Sequence, residues 1–497
     1  MKSKNHHHQQ LHIFLFPFMA QGHIIPTIDM AKLFASRGLK ATIITTPFHA
    51  PLLSSNTFQN DTVSESHIDV LTIEFPSVEN GLPQGCESFH MVASSSDLLP
   101  KFFKATTMLD SQLDHLLKRH RPDCLVADFF FPWATDVAGR YGIPRLIFHG
   151  TCYFSLCATL CVYRYAPHKH VSSDSETFVI PNLPGDIKFT RNQLPEFQKN
   201  NVENVITKLF KASKEAEERS YGTVVNSFYE LEPVYADHYR KGLGVEAWHI
   251  GPLFLYNKSN EDKAKRGFME PSNIDGHECL KWLNAKRPNS VVYVCFGSLA
   301  DFNDAQLLEI ALGLEASGKE FVWVVKKEKQ EGVKEDWLPE GFEKRIEGKG
   351  LIVRGWAPQV LIVGHEAIGG FVTHCGWNST LEGVCAGVPM VTWPVSAEQF
   401  YNERLVTQIL GIGVGVGTQR WTRLVGDSVK REAIEKAVNR IMEGEEAEEM
   451  RSKASALGEM ARKAIQEDGS SYLELNALIE ELRLHRTDCG SNLQSMG

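Results

Sequence analysis

HIFLFPFMAQGHIIPTIDMAKLFASRGLKATIIT, residues 12–45, decides the fold class. The run His12–Phe18 has the length and apolar content of a buried strand. Met19-Ala20-Gln21-Gly22-His23 reads as a loop, after which Pro26 and a helical pattern lead to Gly38. Proline near a helix's first turn, where a missing N–H costs little, and glycine just past its end are expected punctuation. Ala41–Thr45 is a second short apolar strand. Strand, helix and strand in this order predict a β-α-β unit, hence a parallel sheet with helices on both faces.

The theme continues outward. Cys124–Ala127 and Pro144–Phe148 read as strands, with a helix from about Trp133 to Tyr141 between them. Residues 171–192 are polar and contain prolines, and read as a long loop; Thr223–Asn226 is a further short strand. Composition changes after Pro252: Tyr256–Gly276 is rich in Asn, Lys, Glu, Asp and Gly and reads as an exposed linker. The pattern then restarts, with strands at Val291–Phe296, Phe321–Val325, Leu351–Val353, Gly370–Thr373 and Val388–Thr392. Helices fall at Ala305–Ala316 and near Pro358–Val363. Two parallel-sheet halves of similar size result, with no close sequence repeat between them.

The C-terminal region is helical. Ile434, Ala437, Val438 and Ile441 follow helical spacing, as do Leu475, Leu478, Ile479 and Leu482. The tail from Thr487 is expected to be disordered. The expected division is 1–252, a linker at 253–276, 277–471, and a terminal helix and tail at 472–497.

The bulk numbers fit this division. A chain of 497 residues exceeds one core of ordinary size. A net charge of -9 with no basic block argues against nucleic-acid binding. The ten cysteines include no CxxC pair, and Cys124, Cys295, Cys375 and Cys385 sit in or beside apolar runs, so reduced, buried thiols are expected rather than a zinc site. No stretch approaches the roughly 18 apolar residues of a membrane span. Lys2 and Lys4 before the run Leu11–Ala20 imitate a signal peptide weakly, but the run reads better as a strand, and the expected location is cytoplasmic. The alternate glycines of 411–417 do not match the dinucleotide fingerprint and read as a Gly-rich strand or turn.

The chemistry concentrates in WAPQVLIVGHEAIGGFVTHCGWNSTLEGVCAGVPMVTWPVSAEQ, residues 356–399. A strand ends at Thr373, His374-Cys-Gly-Trp-Asn-Ser-Thr follows, and a helical pattern runs from about Ser379 to Cys385. A helix N-terminus at the carboxyl end of a parallel strand favours phosphate through its free N–H groups and dipole. Taken singly, Trp356 would be core, Asn378 and Ser379 caps, and Glu382 a solvated face.

This segment resembles the signature box of the plant secondary-product glycosyltransferases, the plant branch of the family-1 UDP-glycosyltransferases, at its full 44-residue length without a gap. The resemblance extends through FPFMAQGHIIPTIDMAKLFASRG, VADFFFPWATDVA and VCFGS, and so over nearly the whole chain. It implies an α/β fold of two facing Rossmann-like domains of the GT-B type, with a C-terminal helix returning to the N-terminal domain. It also implies that the N-terminal domain binds the acceptor and the C-terminal one the UDP-sugar.

Carried over by motif, Trp356 stacks on uracil, Ala357 and Gln359 contact uracil or ribose, and Glu382 takes both ribose hydroxyls. Ser298, His374, Asn378 and Ser379 hold the diphosphate; Trp377, Glu398 and Gln399 reach the sugar. The family more often has Asp where Glu398 stands. His23 is the implied general base and Asp128, ending another strand, its partner. Thr151 is a further candidate for sugar contact.

The implied reaction is direct displacement of UDP with inversion at the anomeric carbon, without a metal; no DxD-type acidic cluster is present. Phe18, Met19, Phe129, Phe130, Phe131, Phe154 and Phe210 offer an apolar wall for a flavonoid, other phenolic or triterpenoid or steroid acceptor. Gln399 tends in the family to accompany glucose, which makes UDP-glucose the expected co-substrate, ahead of UDP-galactose and UDP-glucuronate. The expected partners are this donor and a small hydrophobic acceptor, with no nucleic acid and no membrane span, and the chain is expected to act as a monomer. A two-domain oxidoreductase would need the missing glycine fingerprint. A non-catalytic nucleotide-sugar-binding protein would be expected to lack His23 or Asp128.

Overall fold

The computed structural model describes residues 10–54, 67–199, 203–267, 274, 276–327 and 337–494. The first half of the chain supplies β1 (His12–Phe16), β2 (Lys40–Thr45), β3 (Ile68–Thr72), β4 (Cys124–Asp128) and β5 (Arg145–Phe148). Next come β6 (Thr177–Val179), β7 (Lys188–Thr190), β8 (Gly222–Val225) and β9 (Ala247–His249). Seven of these form a parallel sheet in the order β3-β2-β1-β4-β5-β8-β9. Ile13 to Phe16 of β1 are all buried, as expected of a strand covered by helices on both faces.

The second half supplies β10 (Val291–Cys295), β11 (Glu320–Val325), β12 (Gly350–Arg354), β13 (Ile368–Thr373), β14 (Met390–Thr392) and β15 (Gly413–Gly415). They form a parallel sheet in the order β12-β11-β10-β13-β14-β15. Each sheet therefore reverses its strand order once near its centre, at β1/β4 and at β10/β13. Ligands of open α/β sheets bind at such points, beyond the carboxyl ends of the strands.

Several expectations need correction. The first helix runs from Gln21 to Ser36, so His23 lies in its first turn rather than in a loop. The turn closes early because His23 and Ile24 N–H both bond to the Ala20 carbonyl, at 2.9 and 3.0 Å. The long loop at 171–192 contains the antiparallel pair β6/β7. The linker is not simply exposed: a short helix, Asn260–Lys265, forms within it, Asn257 is buried, and so is the Arg266 side chain. Residues 268–273 and 275 of that segment lie outside the described residues. The Gly-rich run becomes edge strand β15, where a Cβ on Gly413 would sit 2.4 Å from the Met390 carbonyl oxygen.

The last helix, Ser470–Gln494, returns to the first sheet and extends beyond Thr487, where an irregular tail was expected. Leu475, Leu478, Ile479 and Leu482 are buried in one core with Leu11, Ile13 and Trp248. Tyr221 donates to Glu481 at 2.8 Å and Arg37 to Asn476 at 2.9 Å. Cys86, Cys124, Cys152, Cys157, Cys161, Cys279, Cys375 and Cys385 are free and buried, and Cys295 is free and half-buried. Among the described residues, no helix is long and apolar enough to cross a membrane.

Candidate active site

Parallel pairing of β1 with β4, Phe16 opposite Ala127, sets the carboxyl ends of the two strands side by side. Asp128 closes β4, and the helix after β1 brings His23 over it. His23 Nδ1 lies 2.6 Å from Asp128 Oδ2. The other carboxylate oxygen accepts the Phe130 N–H at 3.0 Å, which fixes the carboxylate's plane. Buried Arg145 donates to the Asp128 carbonyl at 2.8 Å and to Thr135 Oγ1 at 2.9 Å. Burial alone would lower the pKa of His23. The Asp128 charge, its hydrogen bond and the charge of Glu398 outweigh that, and the imidazole is raised above its ordinary range.

The rings of Phe18 and Phe130 stand 5.5 and 5.9 Å from the His23 ring. Phe18 also meets Phe89, Phe102 and Phe103, giving an aromatic wall beside the imidazole. The other expected wall residues divide. Phe131 stacks on Phe16 in the core, Phe154 packs on Tyr235, and Phe129 and Phe210 contact each other farther from His23. Met19 is buried in the same core cluster as Phe18. Thr151 Oγ1 is buried without a protein partner.

On the opposite side, β13 ends at Thr373 and the helix Trp377–Ala386 begins four residues later, with Gly376 at its N-cap. Gln359 Nε2 donates to Ser379 Oγ at 2.9 Å and to Glu382 Oε2 at 2.7 Å, so three expected donor-site residues form one network. Trp356 is half-buried beside it, and the Ala357 carbonyl accepts the Gln359 N–H at 2.8 Å. His374 is held neutral: burial, then the charge of Lys326, push its pKa down to about 4. Its Nδ1 and the Asn378 Oδ1 are buried polar atoms without a protein partner, which suits a ligand at this helix end. A Cβ on Gly297, whose φ is +70°, would lie 2.6 Å from His374, so the imidazole needs a glycine there. Ser298 is exposed in the turn after β10, and its carbonyl accepts from Lys326.

The two sides touch. Asn378 Nδ2 donates to the Gly22 carbonyl at 2.9 Å. Pro26 stands inside the first helix and has no N–H to offer that carbonyl four residues earlier. The proline thus frees an acceptor in the His23 turn, and the donor-side helix uses it. Half-buried Glu398 carries a carboxyl raised by burial, partly offset by the facing His23, and accepts from Asn402 at 3.2 Å.

Two sugar-contact expectations change in detail. The Trp377 indole is buried and its N–H is taken by the Asn226 carbonyl at 2.7 Å, so this side chain has no donor left for a sugar hydroxyl. Gln399 Oε1 accepts the N–H groups of Val395 and Ser396, both at 2.8 Å. Only the NH2 of that amide remains for a ligand, so it can donate but not accept.

Sequence reasoning missed three cations. Arg145 lies behind the His23–Asp128 pair, and Lys326 directly follows β11, beside His374. Arg266 bridges Asp29 of the first helix to Glu382. Lysine or arginine at a strand's carboxyl end, near a strand-order reversal, was a usable signal for Lys326. Nothing local marks Arg266. Among the described residues, no group of three or more His, Cys, Asp or Glu is disposed to hold a metal ion.

Two facing parallel sheets with a histidine–carboxylate pair on one side and a strand-to-helix anion site on the other define a glycosyltransferase of the nucleotide-sugar type. The family described as UDP-glucoronosyl and UDP-glucosyl transferase matches residues 267–451. The chain is 60% identical over 481 residues to UDP-glucose flavonoid 3-O-glucosyltransferase 7 of Fragaria ananassa, covering 95% of this chain and 96% of that one. It is 56% identical over 473 residues to scopoletin glucosyltransferase of Nicotiana tabacum, covering 95% and 98%. Among solved structures, UGT73P12 of Glycyrrhiza uralensis, complexed with glycyrrhetinic acid 3-O-monoglucuronide, superposes with a TM-score of 0.89 at 40% identity, covering 98% and 99%. The chain belongs to the plant UDP-glycosyltransferases.

Proposed function

We propose that this enzyme is an inverting O-glucosyltransferase that moves glucose from UDP-glucose to a hydroxyl of a small apolar plant metabolite. The observation that carries the reading is the 2.6 Å contact of His23 with Asp128 in a helix turn that also meets the donor-side helix through Asn378. Residues 1–252 would receive the acceptor and 277–471 the donor, with 253–276 connecting them and 472–497 closing back on the first sheet.

Asp128 takes the Nδ1 side of His23, so Nε2 is left to receive the acceptor's hydroxyl proton. As that proton leaves, the acceptor oxygen forms a bond to the anomeric carbon and the bond from that carbon to the β-phosphate oxygen breaks. Attack from the side opposite the leaving group inverts the configuration. Asp128 stabilises the imidazolium that forms. The charge growing on UDP meets the N-terminus of the helix Trp377–Ala386, Asn378, Ser379 and neutral His374. Ser298 and the charge of Lys326 border the same place. Trp356, Ala357, Gln359 and Glu382 are assigned to uridine, and Glu398 and Gln399 to the sugar.

Flavonoid, scopoletin and glycyrrhetinic acid 3-O-monoglucuronide appear in the names of the relatives, and the wall of Phe18 and Phe130 suits such apolar ring systems. The test is a matrix of phenolic and triterpenoid aglycones against UDP-glucose, UDP-galactose and UDP-glucuronate, with product masses and anomeric coupling constants. A β-glucoside from UDP-glucose, formed equally well in EDTA, is expected. A retained anomeric configuration, or activity lost in chelator and restored by magnesium, would overturn the mechanism.

A further inference from the structure

We propose that Arg266 is a positioning residue for the nucleotide sugar: it holds the Glu382 carboxylate in register and ties it to the helix that carries His23. The inference rests on the reading of Glu382 as the ribose-binding carboxylate.

Arg266 follows the short helix Asn260–Lys265 in the segment between the halves. Its side chain is 10% exposed, and those of Asp29 and Glu382 are each 3% exposed. Its Nε donates to Asp29 Oδ2 at 2.8 Å, and a terminal N–H donates to Glu382 Oε1. One guanidinium therefore joins a carboxylate of the His23 helix to a carboxylate of the donor-side helix. Each carboxylate is completed by an amide. Asn257 donates to Asp29 Oδ1 at 2.7 Å, and Gln359 donates to Glu382 Oε2 at 2.7 Å. The neighbouring Gly267 is equally tight: a Cβ there would meet Ile25 of the same helix at 2.9 Å and Trp356 Nε1 at 3.9 Å.

Three buried charges are a poor device for stability, because apolar groups of the same shape serve as well or better. They are a good device for orientation. A carboxylate offers about four lone-pair positions. With Arg266 on one oxygen and Gln359 on the other, one position per oxygen remains, and two vicinal ribose hydroxyls need two. Rotation of Glu382 away from this arrangement would break both contacts. The bridge also keeps Asp29, two turns after His23, at a fixed place relative to the nucleotide site. Lysine cannot substitute, since a single ammonium lacks the planar fork that spans two carboxylates.

The experiment compares Arg266→Ala, Arg266→Lys and Asp29→Asn with the parent enzyme. UDP-glucose is varied at saturating acceptor, acceptor at saturating UDP-glucose, and UDP binding is measured by calorimetry. KM for UDP-glucose and Kd for UDP are expected to rise about tenfold in both Arg266 variants, as for loss of a charged hydrogen bond. Turnover and acceptor KM are expected to stay within about twofold, the signature of lost ground-state binding. Combining Asp29→Asn with Arg266→Ala is expected to add little, since both break one bridge. An unchanged KM for UDP-glucose, or an equal rise in acceptor KM from general loosening, would overturn the proposal. So would rescue by lysine, or a lowered KM, which would make Arg266 a competitor of the ribose. Glu382→Gln separates the two levels. If it leaves UDP affinity intact, the donor-site reading itself fails; if it weakens UDP while Arg266→Ala does not, only the role of Arg266 fails.

Discussion

In each sheet a histidine follows a strand that borders the reversal of strand order, and the surroundings give the two opposite characters. His23 follows β1 and His374 follows β13. Burial disfavours the imidazolium at both. At His23 the carboxylates of Asp128 and Glu398 overcome it and raise the pKa. At His374 no carboxylate compensates, Lys326 adds to the effect, and the pKa falls to about 4. One ring is poised to accept a proton and the other stays neutral at the N-terminus of the helix Trp377–Ala386. The lesson is that a strand-end histidine is placed by topology, but its chemistry is set by the charge of whatever faces it.

The largest expected effect breaks this pairing outright. His23→Ala should lower turnover by about two to four orders of magnitude, the usual span for a lost general base. UDP affinity should be unchanged, whereas His374→Ala should weaken UDP; equal effects of the two changes on turnover and on UDP would erase the distinction. The acid limb of kcat/KM sharpens it. His23 must be neutral to act, and its pKa is raised, so activity should fall with decreasing pH around a midpoint above 6.5. Asp128→Asn removes the main raising charge and should move that midpoint down. A midpoint near 4 would assign the limb to His374 instead.

The next effect concerns which half owns the terminal helix. Removing residues from Ser470 onward uncovers the partners of Leu475, Leu478, Ile479 and Leu482 in the first sheet's core. At roughly 1.5–3 kcal/mol for each large side chain, the loss approaches the stability of a whole domain. Thermal unfolding should show a large drop in Tm or no folded protein, and an unchanged Tm would contradict the packing.

The smallest effect is on sugar choice. Gln399 is oriented by two backbone N–H groups on its oxygen, and its NH2 is left for the sugar. Histidine cannot accept both N–H groups and donate in the same direction. Gln399→His should lower glucose transfer by about tenfold to a hundredfold, the range for a buried hydrogen bond of 1–3 kcal/mol. UDP affinity should change less, and competition between UDP-glucose and UDP-galactose at equal concentration reads the result.

Legibility differed between the halves for a physical reason. Gln359, Ser379 and Glu382 lie in one ungapped stretch that folds as helix, strand and helix, so the family resemblance of that stretch marked all three together. His23 and Asp128 meet across 105 residues, and strand-end placement together with the family resemblance linked them. Strands of three residues, such as β9 and those of the β6/β7 pair, are too short to show periodicity, and half-exposed β3 lacks an apolar run. The start of the first helix was misplaced because Pro26 was read as its first turn, whereas the bonds to the Ala20 carbonyl open it five residues earlier.

The sequence by itself determined the α/β class, the strand–loop–helix punctuation, the donor box and the identity of the catalytic candidates. The class and the punctuation follow from local periodicity and turn residues, and the box and the catalytic candidates from the family resemblance that the motifs carry. Only the tertiary structure decided which groups of these residues remain for a ligand. The Trp377 N–H is spent on Asn226, the Gln399 oxygen on two amides, and Arg266 on both Asp29 and Glu382. A hydrogen-bonding group is committed by whatever lies within about 3 Å of it. For Gln399 those neighbours are amides three and four residues back, but for Trp377 and Glu382 they come from the other half of the chain or from the segment between the halves, where no local pattern in the sequence records them.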